Sequence, residues 1–330
     1  MKSVLTLGEV MLRLSPPNHF RFEQATSLEM EFGGSEANVG AALSNWGIHV
    51  RHVTAFPDNE LGHSAAAHLR KNGIDDSLIQ FSEGRIGLYF LEHGAAQRGS
   101  KIIYDRAGSS FSNYDGSEVD WKEVLRNIHW VHWSGISPAI SRKSADLTLR
   151  ILEAAHELGI RVSGDLNYRS NLWNYGKQPH EIMPKLMTLT QVMIAGKRDF
   201  NQCLGKDFES FDQAKSFAFD TFHKLQMIVR TKREVHSASF NSLSAHLYTK
   251  DQDVSTETFE VQPIIDRVGT GDAFAGGLIY GLLMDQSLEH SLNFAIACSV
   301  FKHSIPGDIL NGTVEEINEI LQGNSGAIKR

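Results

Sequence analysis

The spacing of apolar residues changes character several times along the chain. Val4 to Leu14 is rich in β-formers and predicts one opening strand, which Ser15-Pro16-Pro17-Asn18 then breaks. Residues 20–32 are mixed and aromatic, a pattern of exposed strands rather than of a core helix. Gly33-Gly34-Ser35-Glu36 predicts a turn, and 37–46 a tightly packed helix closed by Gly47. A strand over 50–56 and a small-residue helix over 60–72 complete a β-α-β-α rhythm. The stretch 85–114 interrupts it. Ile86 to Glu92 and Lys101 to Asp105 predict two strands joined by a glycine-containing loop, with no long helix between them. With 13–35 they are expected to form a small β layer outside the main sheet. Alternation resumes after residue 120, with strands over 128–134, 160–166, 190–195 and 226–231. Helices lie between them, such as 143–158 with Leu147, Ile151, Leu152 and Ala155 on one face. Short strands at 236–240 and 245–249 predict a hairpin, and from 271 onward the pattern is mainly helical. Strands alternating with helices predict an α/β fold with a mostly parallel sheet covered on both faces.

Composition narrows the function classes. The 330 residues suit one elaborated α/β domain, spanning 1–330, with ordinary hydrophobic (41%) and charged (22%) fractions. A net charge of -7 argues against general binding to nucleic acid or to an anionic membrane. The two cysteines, Cys203 and Cys298, do not make a disulfide framework. The first apolar run is short and interrupted by Glu9, and no stretch approaches a membrane span, so a cytoplasmic protein is expected. The 15 histidines form no cluster with zinc spacing, and no metal ligand is assigned.

The sharpest chemical feature is Asp266-Arg267-Val268-Gly269-Thr270-Gly271-Asp272, followed by the small apolar run 273–284. The run reads as a buried helix, which makes Gly269 to Asp272 its first turn. Unpaired N–H groups and the helix dipole there form an anion site. A carboxylate in the same turn can take a proton from an attacking hydroxyl. The same pattern also fits a glycine turn in which Asp272 caps the helix. Two rival phosphate motifs fail. The dinucleotide fingerprint needs a third glycine earlier, and Pro263 stands close upstream. Gly94 to Lys101 approaches a P-loop, but Ser100 and Lys101 are in the wrong order and the segment lies between strands. It reads as a lid loop.

The chain resembles the ribokinase-like, or PfkB, carbohydrate kinases. Gly33-Gly34 with Ala37-Asn38 is similar to the family's first signature, and Asp266 to Gly277 to its second. Gly8 to Pro17, Gly87 to Glu92, Tyr104-Asp105-Arg106-Ala107, Asp165-Leu166-Asn167-Tyr168-Arg169 and Ile305-Pro306-Gly307-Asp308 resemble the branch acting on 2-keto-3-deoxygluconate. The resemblance implies a three-layer sandwich with a β-sheet lid, formed by strands from about 13–35 and 85–114. It implies ATP and Mg²⁺ as cofactors, and transfer of phosphate to the 6-hydroxyl of the sugar acid. Asp272 would be the base, and Gly269, Thr270 and Gly271 the anion hole. Gly34 and Asn38 would hold the sugar, with Tyr89, Tyr104 and Arg106 reaching it from the lid. Arg169 would sit near substrate and phosphates, and Asp308 on the substrate side. Asn167, Thr231 and Arg233 would lie toward the nucleotide. Arg offers paired donors to a carboxylate, which fits a sugar acid. Lid edges paired across a two-fold axis imply a homodimer.

Two stretches depart from the family pattern. Gly196-Lys197-Arg198-Asp199 stands where the family has Asn-x-x-Glu, and Thr231-Lys232-Arg233-Glu234 where Thr-Leu-Gly is common. Two other readings therefore stay open: another sugar or nucleoside kinase of the superfamily, or a non-catalytic sugar-acid sensor.

Overall fold

The computed structural model describes residues 1–323. The opening apolar run is divided between two sheets. β1 (Ser3–Leu7) lies fully buried in a large sheet, and β2 (Met11–Ser15) belongs to a small one. This corrects the single strand over Val4 to Leu14. β-propensity is continuous there, but the Gly8-Glu9-Val10 link is not strand. A Cβ at Gly8 would overlap the Glu36 carboxylate, and Glu9 pairs with Arg106. β3 (Glu29–Gly33) completes the first hairpin of the small sheet.

α1 (Ser35–Asn45), β4 (His49–Pro57), α2 (Glu60–Lys71) and β5 (Ile79–Ser82) follow, with the Asn59 side chain capping α2. β6 (Leu88–Glu92) and β7 (Lys101–Asp105) return to the small sheet, whose order is β3-β2-β6-β7. Next come α3 (Trp121–Leu125), β8 (Trp130–Ser134), α4 (Ser137–Ile140), α5 (Arg142–Glu157), β9 (Arg161–Asp165) and α6 (Pro179–Thr188). β10 (Val192–Ile194), α7 (Lys197–Leu204) and α8 (Phe211–Thr221) continue the alternation.

β11 (Met227–Ser237) runs past residue 231 and returns as β12 (Phe240–Tyr248). The hairpin therefore turns at Ala238-Ser239, inside the strand that the sequence pattern places over 236–240. Exposed residues from Thr231 to His236, all polar but Val235, conceal the extension. β13 (Asp253–Ser255), β14 (Phe259–Val261), α9 (Thr270–Leu283), α10 (Leu288–Lys302) and α11 (Val314–Leu321) close the described chain.

The large sheet has the order β13-β12-β11-β10-β9-β8-β1-β4-β5, with β14 beside β12. Its strands from β11 to β5 are parallel. Strand residues alternate between two cores. Val4, Val192 and Val229 face α1, α2, α9, α10 and α11, while Leu5, Met193 and Ile228 face α3 to α8. The result is a three-layer sandwich. α9 is apolar all round because it is buried between α1 and α10. A Cβ at Gly277 would stand 2.8 Å from Cys298 Sγ, so only glycine permits that approach of α10. This packing fixes the direction of α9 and hence the place of its first turn. Both cysteines are buried and free.

Candidate active site

A cavity of about 870 Å³ opens where the ends of β9 and β11, the starts of α1 and α9, and the inner face of the small sheet converge. In an open parallel sheet this carboxyl-end crevice is where ligands bind. At its floor Gly269 has φ +77°, and a Cβ there would overlap the Asp308 carbonyl. The first bond of α9 runs from the Ala273 N–H to the Gly269 carbonyl at 2.8 Å. The N–H groups of Thr270, Gly271 and Asp272 precede it and have no intrahelical acceptor. No side chain caps this helix, and nothing lies within 4 Å of where a Gly271 Cβ would be.

The Asp272 carboxylate turns away from its own helix start. It accepts from Ser35 Oγ and Asn38 Nδ2, each at 2.7 Å. The Asn38 amide is itself oriented by the Gly34 N–H, 3.3 Å from its Oδ1. Withdrawal from water pushes the Asp272 pKa up to about 6, against donation from Asn38 and Ser35. Asp165 also faces the cavity. Desolvation, with Asp199 and Asp272 as negative neighbours, pushes its pKa up to about 8.

The cavity wall gathers Gly34, Asn38, Gly269, Thr270, Gly271 and Asp272. Tyr89, Tyr104 and Asp308 line it from one side, and Asn167, Arg169, Thr231 and Arg233 from others. Asn167 takes a left-handed φ of +35°, its N–H held by Asp165 Oδ1 at 3.1 Å. Tyr89 is nearly buried, and its hydroxyl donates to Asp308 at 2.5 Å; burial pushes the phenol well up, so it stays protonated. Arg106 is the exception. Both Nε and Nη2 donate to the buried Glu9, and Arg106 is not among the lining residues. Two loops meet at the cavity mouth. The Ala238 N–H, at the β11–β12 turn, donates to the Ala96 carbonyl between β6 and β7 at 2.7 Å.

Asp199 sits at the start of α7, with Gly196 as its N-cap. Its carboxylate accepts from the Gly196 N–H at 2.8 Å and the Tyr168 N–H at 3.1 Å. Among the described residues no group of three or more His, Cys, Asp or Glu stands ready to enclose a metal. No helix among them is long and apolar enough to cross a membrane.

Sequence reasoning passes over Ser35 and Arg267, both at the cavity, and treats Asp165 only as part of a matched segment. Ser35 had a signal in its place directly after the glycine pair. Arg267, which donates to the Ser237 carbonyl at 2.5 Å, had one in the charge beside Asp266.

An open helix start beside a partly desolvated carboxylate suits transfer of an anionic group to a hydroxyl. Its placement between a parallel α/β sandwich and a small separate sheet is that of the ribokinase-like phosphotransferases. Residues 1–312 match the model of the pfkB family carbohydrate kinases, and the chain belongs to that family. It is 31% identical over 327 residues to a 2-dehydro-3-deoxygalactonokinase of Haloferax volcanii, covering 99% of each chain. The 2-dehydro-3-deoxygluconokinase structure from Thermotoga maritima is 38% identical, with a TM-score of 0.92 and 98% of each chain covered. A putative 2-keto-3-deoxygluconate kinase from Enterococcus faecalis is 30% identical, with a TM-score of 0.90, covering 100% of this chain and 99% of the other.

Proposed function

We propose that this carbohydrate kinase transfers the γ-phosphoryl group of ATP to the 6-hydroxyl of 2-keto-3-deoxygluconate. The observation that carries the reading is the pairing of a held Asp272 carboxylate with the uncapped turn Gly269-Thr270-Gly271. Asp272 takes the hydroxyl proton, while the turn's N–H groups meet charge developing on the phosphoryl oxygens. A pKa of about 6 suits a base that is ionised near neutrality yet basic enough to accept a proton. Gly34 and Asn38 hold the sugar, Tyr89 and Tyr104 close on it from the small sheet, which acts as a lid, and Asp308 meets it from the segment between α10 and α11. Names of the relatives and this polar wall support a sugar acid as acceptor.

The residues fit a polyphosphate. Arg233 and Arg267 both line the cavity; burial, and after it the neighbouring Arg233 charge, disfavour the charged form of Arg267, a cost that an anion bound between them offsets. Asn167, Arg169 and Thr231 line the same cavity. Mg²⁺ takes phosphate oxygens with one or two carboxylates and several waters, and the cavity-facing Asp165 would be the protein's carboxylate there, its raised pKa lowered again by the bound cation. Bound there, it neutralises phosphate charge.

A second copy pairs through the lid. Met30, Leu14, Phe90 and Ile103 are cross-strand neighbours on one face, with Met30 57% and Ile103 56% exposed.

The test is ADP release with Mg²⁺ and a panel of keto-deoxy-sugar acids, neutral hexoses and nucleosides. Turnover greatest on a keto-deoxy-sugar acid is expected. A preference for fructose or a nucleoside moves the protein to another branch, and ligand binding without turnover makes it a sensor. Arg169→Ala is expected to weaken use of the acid more than of any neutral sugar; equal losses remove the carboxylate argument. For Arg106→Ala the same inequality holds if Arg106 leaves Glu9 for the substrate.

A further inference from the structure

Arg13 is a buried cation on β2 that does not line the cavity, yet it touches both segments that support the cavity floor. Nη2 donates to Asp266 Oδ2 at 2.7 Å, and Nη1 to Asp308 Oδ1 at 2.6 Å. Both carboxylates are nearly inaccessible to water. Each bears on the α9 turn. Asp266 Oδ1 accepts from the Val268 N–H at 3.0 Å, and its Oδ2 accepts also from the Gly307 N–H at 3.1 Å. The Asp308 carbonyl stands against Gly269, where no Cβ fits. Nε donates to Ser15 Oγ at 3.0 Å and Nη2 also meets His93 Nε2 at 2.8 Å, while Nη1 stands 3.9 Å from Glu31 Oε2. A planar fork with donors on two edges can serve two carboxylates in different directions; an ammonium cannot reach both with the same geometry. Lys302 supplies charge nearby, but its Nζ is committed to the Ile305 carbonyl at 2.8 Å.

We propose that Arg13 is a positioning residue for phosphoryl transfer: through Asp266 and Asp308 it holds the Val268–Asp272 turn in place and ties β2 of the small sheet to it. β2 then stays fixed relative to the anion hole. The kinetic consequence rests on the phosphotransfer reading; the structural consequence does not.

The experiment compares the purified full chain with Arg13→Lys, Asp266→Asn and Ser15→Ala. Amide hydrogen exchange is followed over 266–272 and over α10, with steady-state kinetics on the sugar acid found active. In Arg13→Lys, exchange over 266–272 is expected to quicken more than exchange over α10. Displacement of the turn by a fraction of an ångström lowers kcat by roughly 10- to 100-fold, while KM for the sugar acid stays within about 3-fold. Asp266→Asn, which leaves no unpaired buried charge on the turn, is expected to lower kcat in the same way, and it decides the matter if Arg13→Lys does not fold. Ser15→Ala removes a contact remote from the turn and is expected to leave both readouts near wild type. Unchanged exchange at 266–272, or a raised KM with unchanged kcat, overturns the proposal. Faster exchange at the turn in a protein that phosphorylates no sugar upholds the anchoring and rejects the phosphotransfer reading.

Discussion

Two helices in this chain start with the same spacing, a glycine followed three residues later by an aspartate, and they end in opposite states. At α7 the Asp199 carboxylate reaches back to the Gly196 N–H and also takes the Tyr168 N–H. The helix start is filled by its own side chain. At α9 the Asp272 carboxylate is drawn off by Ser35 and Asn38 on α1, and the turn stays open. Backbone conformation separates them first, since Gly196 has φ −105° and Gly269 φ +77°. Neighbours separate them next. Asp199 finds donors on its own loop and the adjacent one, whereas Asp272 finds its donors across the cavity. On the proposed reading, the start of α9 can take an anion because Ser35 and Asn38 hold its carboxylate, whereas the start of α7 is filled by its own.

The largest test of this contrast is Asp272→Asn. Turnover is expected to fall by at least about 100-fold, as for loss of a general base. The variant is expected to be no less stable than wild type at neutral pH. Burial raises the folded pKa above the ordinary carboxylate value, so the native state prefers the protonated form and ionised Asp272 detracts from stability. Near-normal turnover would remove Asp272 as the base. Gly271→Ala comes next. No protein atom meets the new methyl group, so thermal unfolding should be unchanged, while on the proposed reading the methyl enters the phosphate's space and kcat/KM for ATP drops roughly 10-fold or more. A melting point lowered with activity intact would show that the turn is structural.

Acid should reveal the same carboxylate. kcat/KM is expected to decline as pH falls through about 6, where Asp272 gains a proton. In Asn38→Ala the lost donor should move this limb to higher pH. A limb that stays in place assigns it to another group. Asp199→Ala is the smallest change. It removes a cap, costing about 0.5–2 kcal/mol in stability, and leaves the Asp272 limb and the substrate preference where they were. A collapse of turnover in that variant would mean that α7 takes part in the chemistry.

The glycine turn at the start of α9 was legible from sequence because its cues are local, two glycines, an aspartate and an apolar run, but whether Asp272 caps it was not, since its partners Ser35 and Asn38 lie over 230 positions away. Alternating strands and helices exposed the sandwich for the same reason. Other features depend on partners far along the chain. Arg13 meets Asp266 and Asp308 across 253 and 295 positions, and no local spacing encodes that. The fate of Asp199 as a cap was hidden too, since a departure from a family pattern says what is missing and not what the replacement does. Val4 to Leu14 was misread because β-propensity says nothing about which sheet a strand joins. The β11 extension escaped because its residues from Thr231 to His236 are exposed and polar but for Val235, and carry no alternating apolar signature.

The hydrogen bond between Ala238 and Ala96 also sets the terms of entry. It joins the tips of two loops over the cavity mouth through one backbone pair. Such a bond is worth only about 0.5–1.5 kcal/mol net in water. A latch of that strength alone leaves between roughly one molecule in three and one in fourteen ajar at any moment, so admission of substrate is a matter of standing population rather than of a forced door. Exchange at the Ala238 amide would count those openings directly.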